Sequence, residues 1–377
     1  MPAKSIQDQL KHSFPKPNKE IWSNAASPEV QGKNPFDVLS WKTNDGLIFF
    51  PYYDRWDSEK NAYLKHFEFP PSENPFAASR EWVSMPMILV LDEMQSNKKS
   101  LHALATGADG ILFDLRKSAT IDIDLLLDKI NLPYCSVSFF VSSESSIVRQ
   151  LQKYILDHQL DATLLTGSIF CEGEVSDPVT WLDGLSSFKK IHGLGICISP
   201  DSPVTEVSNA LTKATLFMDR LTNQGVEKET AWHNISISLT LGTDFFLDIA
   251  KLKALRLLWY QLARGFDISN YQPSMLDIHA VSTPWIKEAF QPHGNMLKGT
   301  SASLAAILGG CNALTVLADD DNIMQNRIAN NISNLLREES YLDKVSDASA
   351  GAYALDAVTH QLAEASWNEF KRKIKTL

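Results

Sequence analysis

Between Met87 and Leu317, short apolar runs alternate with longer helix-like ones, and this alternation limits the folds open to the chain. The strand-like runs are MILVL (87–91), ILFD (111–114), CSVSFF (135–140), TLLT (163–166), GICIS (195–199), ISISL (235–239), MLDIH (275–279) and LTVL (314–317). Helical spacing lies between them, most clearly over Leu125–Ile130, Glu144–Asp157, Thr180–Lys190, Val204–Gln224, Asp244–Arg264 and Ile323–Arg337. About eight β/α units argue for an α/β protein with a TIM-type (β/α)8 barrel rather than an open sheet. The chain of 377 residues holds a barrel of roughly 250 residues and extensions. The expected division is an extended N-terminal arm over 1–45, a pre-barrel segment over 46–84, and the barrel with closing C-terminal helices over 85–377.

Local signals sharpen this outline. In Asn295–Val316, Leu304, Ala305 and Leu308 recur at helical spacing. Gly309-Gly310 then ends the helix, where a positive φ is cheap, and Leu314 and Val316 resume as a strand. Asn44-Asp45-Gly46 reads as a hairpin turn. The run Asp244–Arg264 is apolar on most sides, more than one barrel-facing stripe requires. It is expected to bury a second surface against the N-terminal segment or a partner chain. Prolines at 2, 15, 17, 28 and 35 break helix in the arm, where Trp22 and Phe36 stand among polar residues. Isolated aromatics on such an arm need a groove, so both are candidate partner contacts.

Composition excludes several classes. The net charge of −10 and the lack of a basic cluster argue against nucleic acid. No apolar run reaches the ~18–20 residues of a membrane span, and MPAKSIQDQLKHSFPKPNKE lacks a signal-peptide core. The scattered Cys135, Cys171, Cys197 and Cys311 contain no CxxC and read as reduced core residues of a cytoplasmic protein. No metal site is expected. Asp319-Asp-Asp321 reads as a solvated loop, and Gly193-Leu-Gly195 is too short for a dinucleotide loop.

Several strings are more specific than this pattern. Trp41-Lys-Thr-x-Asp-Gly46, Phe245–Trp259, Asn295-Met-Leu-Lys-x-Thr300 with Gly309-Gly310, Arg327-Ile-Ala-Asn-Asn331 and Glu338-Glu-Ser340 resemble the methylmalonyl-CoA mutase family. The resemblance covers most of 36–377 and implies the same barrel. Mutase barrels line the axis with small polar residues because the pantetheine arm of the CoA ester threads it. Ser136, Ser138, Ser199, Ser236 and Ser238 are therefore expected barrel-lining residues that bond one another, backbone or water. Ile235, Ile237 and Leu239 are expected to face the helices.

The resemblance also shows what is missing. The family's Ser-Ile-Ser-Gly-Tyr-His after the fifth strand reads Cys197-Ile-Ser-Pro-Asp201-Ser202 here. An aspartate there would repel the acyl carboxylate. Arg-Leu-Ser becomes Asn234-Ile-Ser236, and Arg-Thr-His-Ser-Gln-Thr becomes Asp277-Ile-His279-Ala-Val-Ser282, losing carboxylate-binding arginines. Asp201, Ser202, Ser236, Asp277 and His279 are thus expected to form a vestigial pocket, with no catalytic residue. Asp277-Ile-His279 lacks the Gly of the family's cobalt-ligating Asp-x-His-x-x-Gly motif. No C-terminal cobalamin-binding domain is expected in this chain.

The resemblance is strongest from Phe245 to Trp367, and the stretch FPPSENPFAASREWVS (69–84) looks more like the noncatalytic small subunits. It implies a noncatalytic small subunit of a heterodimeric adenosylcobalamin-dependent methylmalonyl-CoA mutase, which converts methylmalonyl-CoA to succinyl-CoA. Such a subunit stabilises a catalytic large subunit, which carries the cofactor; this chain is expected to bind none. In heterodimeric relatives N-terminal extensions wrap the opposite subunit, which gives Trp22 and Phe36 a surface. A homodimer stays open for the chain alone. The rival readings are a stand-alone barrel binding a CoA ester or other small ligand, and a mutase barrel working with a separate cobalamin-binding chain.

Overall fold

The structure, a computed structural model, describes residues 17–58 and 80–376 apart from 119, 144–145, 174, 176, 287–292 and 319–321. The segment 59–79, part of the expected pre-barrel segment, and the aspartates at 319–321 lie outside the described residues. A hairpin, β1 (Trp41–Lys42) and β2 (Ile48–Phe49), precedes the barrel strands β3 (Val83–Ser84), β4 (Met87–Leu89), β5 (Gly110–Asp114), β6 (Ser136–Ser142), β7 (Thr166–Glu172), β8 (Lys190–Ile198), β9 (Ile235–Leu241), β10 (Asp277–Ser282) and β11 (Ala313–Thr315). Strands β4 to β11 pair in chain order, all parallel, and β11 pairs with β3.

Because β3 and β4 are two parts of one strand, the sheet closes on itself as a (β/α)8 barrel. Pro86 sits at the break, where its missing N–H costs no ladder bond. Around it Met85 N–H still donates to Leu314 O, and Pro86 O accepts from Leu112 N–H.

The helices are α1 (Lys19–Ala26), α2 (Pro35–Leu39), α3 (Arg55–Ser58), α4 (Glu93–Ala105), α5 (Ile123–Leu126), α6 (Ile147–Asp157), α7 (Pro178–Gly184), α8 (Pro203–Asn223), α9 (Lys228–His233), α10 (Phe245–Gly265), α11 (Gly294–Gly309), α12 (Ile323–Glu338) and α13 (Tyr353–Thr376). Capping side chains start many of them: Asp92 for α4, Asp177 for α7, Ser202 for α8, Asp244 for α10 and Asn322 for α12. The core lies between the strands' outer faces and these helices. Ile235, Ile237 and Leu239 are among its residues.

Three expectations change on contact with the structure. First, within the described part of 1–45 the chain is not extended. It forms α1, α2 and the hairpin, which turns back so that Ile48 exchanges two hydrogen bonds with the Gln361 side chain on α13.

Second, among the described residues the extra apolar surface of α10 is covered by α13, which also packs on α8. The helix α11 also lies against α10. Here Gly309 allows the approach, since a Cβ there would stand 2.7 Å from Leu252 Cδ1. Only Gly310 takes the left-handed cap, at φ 99°.

Third, the fourth barrel strand begins where the TLLT reading ends. Residues 162–164 form a 3-10 turn and β7 starts at Thr166. Gly167 lies at φ +150°, and a Cβ there would come within 1.9 Å of Val137 O, so the backbones of β6 and β7 meet only through glycine. That one-strand shift decides what fills the barrel.

Candidate functional site: the barrel axis

Alternation along each strand sends one set of side chains inward. On β6 this set is Ser136, Ser138 and Phe140. On β7 it contains Ser168 and Phe170, and on β9 Ser236 and Ser238. Asp277 and His279 come from β10, Ala313 and Thr315 from β11. Met85, Leu112, Phe140, Phe170 and Ala313 form an apolar cluster separate from the main core. Its centre is aromatic: Phe140 and Phe170 lie 5.3 Å apart, and His279 lies 5.2 Å from Phe170 and 6.0 Å from Phe140. Phe170 and His279 are 0% exposed. A tunnel able to pass a pantetheine arm would have to run where these rings stand.

The polar groups form two short chains around the plug. Thr315 Oγ1 donates to Met85 O, so it accepts from His279 Nε2, 2.8 Å away. His279 Nδ1 then accepts from Ser238 Oγ at 3.0 Å. This sequence of donors assigns the Nε2–H tautomer. Burial holds the imidazole neutral by pushing its pKa down to about 4, with Asp277 opposing weakly. In the second chain Ser138 Oγ accepts from Ser168 N–H, and Ser168 Oγ donates to Asp277 Oδ2 at 2.9 Å. Ser136 Oγ donates to Thr166 O. Ser236 Oγ is buried and has no partner among the described residues.

Above the aromatic plug, Arg116 closes the C-terminal mouth. Its guanidinium donates twice to Asp114, at 2.9 and 2.7 Å, and stands 5.1 Å over the Phe140 ring. Glu172 lies 3.8 Å away.

The remaining sequence candidates lie elsewhere. Ser199 is exposed, one residue beyond β8. Asp201 is exposed too; its N–H donates to Glu206. Ser202 caps α8 by accepting from Thr205 N–H. So the five expected pocket residues do not meet: Asp277, Ser236 and His279 are inside the barrel, while Asp201 and Ser202 organise a helix start. Under that start lies a buried Lys251, bonded to Glu206 (2.8 Å), Asp248 (3.0 Å) and Thr240 O. Burial raises both carboxyl pKa values there.

Trp22 and Phe36 pack on each other at 5.2 Å. Trp22 also stacks on Tyr52 and Phe36 meets Phe50. The four cysteines are unpaired. No group of three or more metal-type ligands occurs among the described residues, and no described helix is long and apolar enough to cross a membrane.

Residues that sequence reading missed are the ones that close the axis. Phe140 was available from the Ser136-x-Ser138-x-Phe140 alternation. Phe170 and Ser168 lie beyond the strand expected at 163–166, on the part of β7 that the TLLT run leaves out. Asp114 and Arg116 offered no pattern beyond their spacing of two.

Residues 190–376 match the family model described as methylmalonyl-CoA mutase. The chain belongs to the methylmalonyl-CoA mutase family. It is 28% identical over 400 residues to the methylmalonyl-CoA mutase small subunit of Porphyromonas gingivalis, covering 97% of this chain and 64% of that protein. The small subunit of Streptomyces virginiae is 25% identical, with 96% and 64% covered. The methylmalonyl-CoA mutase of Cereibacter sphaeroides is 23% identical, with 92% and 57% covered. The chain therefore spans less than two thirds of the length of these mutase-family relatives. Within this length the chain forms a closed barrel with an aromatic cluster on its axis.

Proposed function

We propose that this chain acts as a noncatalytic small subunit of a heterodimeric, adenosylcobalamin-dependent methylmalonyl-CoA mutase in the cytoplasm. Its role is to stabilise a catalytic large subunit that carries the cofactor and the rearrangement of methylmalonyl-CoA to succinyl-CoA. The observation carrying this reading is the Phe140–Phe170–His279 plug, which leaves no axial path for a CoA ester. His279 does not fit a cobalt ligand either, because both ring nitrogens already have partners inside the barrel. The similarity to relatives named as small subunits supports the same assignment.

The surface for the partner is the N-terminal segment. Trp22 and Phe36 stay within it as its internal aromatic core. Trp41, Phe50 and Trp56, at 50%, 40% and 59% exposure, are the anchors that face outward. A buried aromatic anchor contributes about 2 kcal/mol, roughly 30-fold in affinity.

Co-expression with the large subunit tests the reading. The purified chain with adenosylcobalamin gives no turnover, and the large subunit loses activity or thermal stability when this chain is withheld. The paired change W41A/W56A weakens the heterodimer tenfold or more, read by titration calorimetry. Turnover by the chain alone, above a control without enzyme, overturns the proposal.

A further inference from the structure

The barrel closes between its first and last strands. The β3–β11 register ends at Ser84↔Leu314, and past Pro86 the strand β4 pairs with β5. Over this seam the helices α4 and α12 stand apart and leave a groove of about 130 Å³. Its floor is apolar, with buried Ile88 and Ala103. Its walls carry Lys99 and His102 from α4 and Arg327 from α12. The spacing explains the convergence. Lys99, His102 and Ala103 are three and four apart on one face of α4, and Ile323 and Arg327 are four apart on one face of α12.

The charge pattern is the unusual part. Acidic residues outnumber basic ones in this chain, 45 to 35. Most buried or half-buried cations have a carboxylate, as Lys251, Lys253, Arg116 and Arg337 do. Lys99, His102 and Arg327 are exposed, and their side chains have no hydrogen bond or ion pair among the described residues. Lys99 and Arg327 thus line one groove without a counter-ion among the described residues, and an anion placed between them relieves their mutual repulsion.

We propose that this groove is a binding site for a small amphiphilic anion, a short alkyl chain ending in a carboxylate or a phosphate. The headgroup sits between Lys99 and Arg327, with a bidentate option on the guanidinium, and the alkyl part covers Ile88 and Ala103. The site lies outside the barrel axis and is independent of the mutase reading.

Hexanoate, hexyl phosphate and hexanol serve as probes on the purified chain, by saturation-transfer NMR and titration calorimetry. The expected result is saturable one-site binding of at least one of the two anions, at least tenfold tighter than hexanol. The better of the two defines the headgroup. The exposed double change K99Q/R327Q leaves the melting temperature unchanged and weakens that binding at least tenfold. Absent saturation for both anions, equal binding of hexanol, or unchanged affinity in the double variant each overturn the site.

Discussion

Phe170 stacks on His279 at the centre of the barrel, with ring centroids 5.2 Å apart and planes inclined by 29°. The contact joins β7 to β10 across the axis. One ring excludes water from the other, and exclusion of water keeps the imidazole neutral.

Truncating the plug is therefore expected to be costly. Phe170→Ala removes a fully buried ring whose site is closed by Phe140 and Leu112, and large cavities of this kind cost about 3–5 kcal/mol. Urea unfolding followed by circular dichroism measures it. A loss under about 1 kcal/mol would mean that the barrel collapses around the gap or that the ring does not fill the axis.

His279 makes stability depend on pH in a defined sense. Its folded pKa, about 4, lies below the ordinary 6.5. In acid the unfolded chain takes up a proton that the folded barrel refuses. The contribution is fully present above pH 6.5 and is lost as the pH falls to about 4, a span of about 3 kcal/mol. Unfolding free energies of the wild type and His279→Asn at pH 7 and pH 4.5 check this. The difference between the two proteins narrows at the lower pH. A constant difference would mean that folding leaves the imidazole's pKa unshifted.

Asp356 on α13 works in the opposite direction. Its carboxyl is 1% exposed, neither oxygen has a hydrogen-bond partner among the described residues, and burial pushes its pKa up to about 6. Lys253 on α10 attracts it, but that ammonium is held by Asp347 at 2.8 Å. Stability from this group is present below pH 3.8 and lost as the pH rises through about 6. Asp356→Asn is expected to stabilise the chain by about 1–2 kcal/mol at pH 7.5 and to change little at pH 4. Destabilisation at pH 7.5 would show that Lys253 needs this carboxylate.

Gly167 is the tightest point of the sheet. An alanine there places Cβ against Val137 O in a backbone region that side chains avoid. Gly167→Ala is expected to cost more than about 3 kcal/mol or to prevent accumulation of folded protein, whereas Gly173→Ala, which meets no atom within 4 Å, costs about 1 kcal/mol through its φ alone. Equal stabilities of the two variants, read by thermal melts, would contradict the close β6–β7 approach.

Much of the barrel was readable from the chain. Helices α8, α10 and α12 fall within a residue or two of their predicted limits, because each carries a long 3.6-residue pattern and a capping side chain. The inward alternation of Ser136, Ser138, Ser236 and Ser238 follows from period two and the apolar residues between them. Less of the site was readable. Asp201 and Ser202 were expected in a pocket, yet their environment is a helix N-terminus, which residue identity alone did not reveal.

By itself, the sequence determined the barrel and its family, since these rest on local periodicity and residue identity. Tertiary structure alone decided what occupies the axis and what covers α10. Phe140, Phe170 and His279 lie on three separate strands, and α13 follows α10 by nearly ninety residues. Contacts of that separation are set by how the sheet closes and by the steric limit at Gly167, which no local pattern encodes.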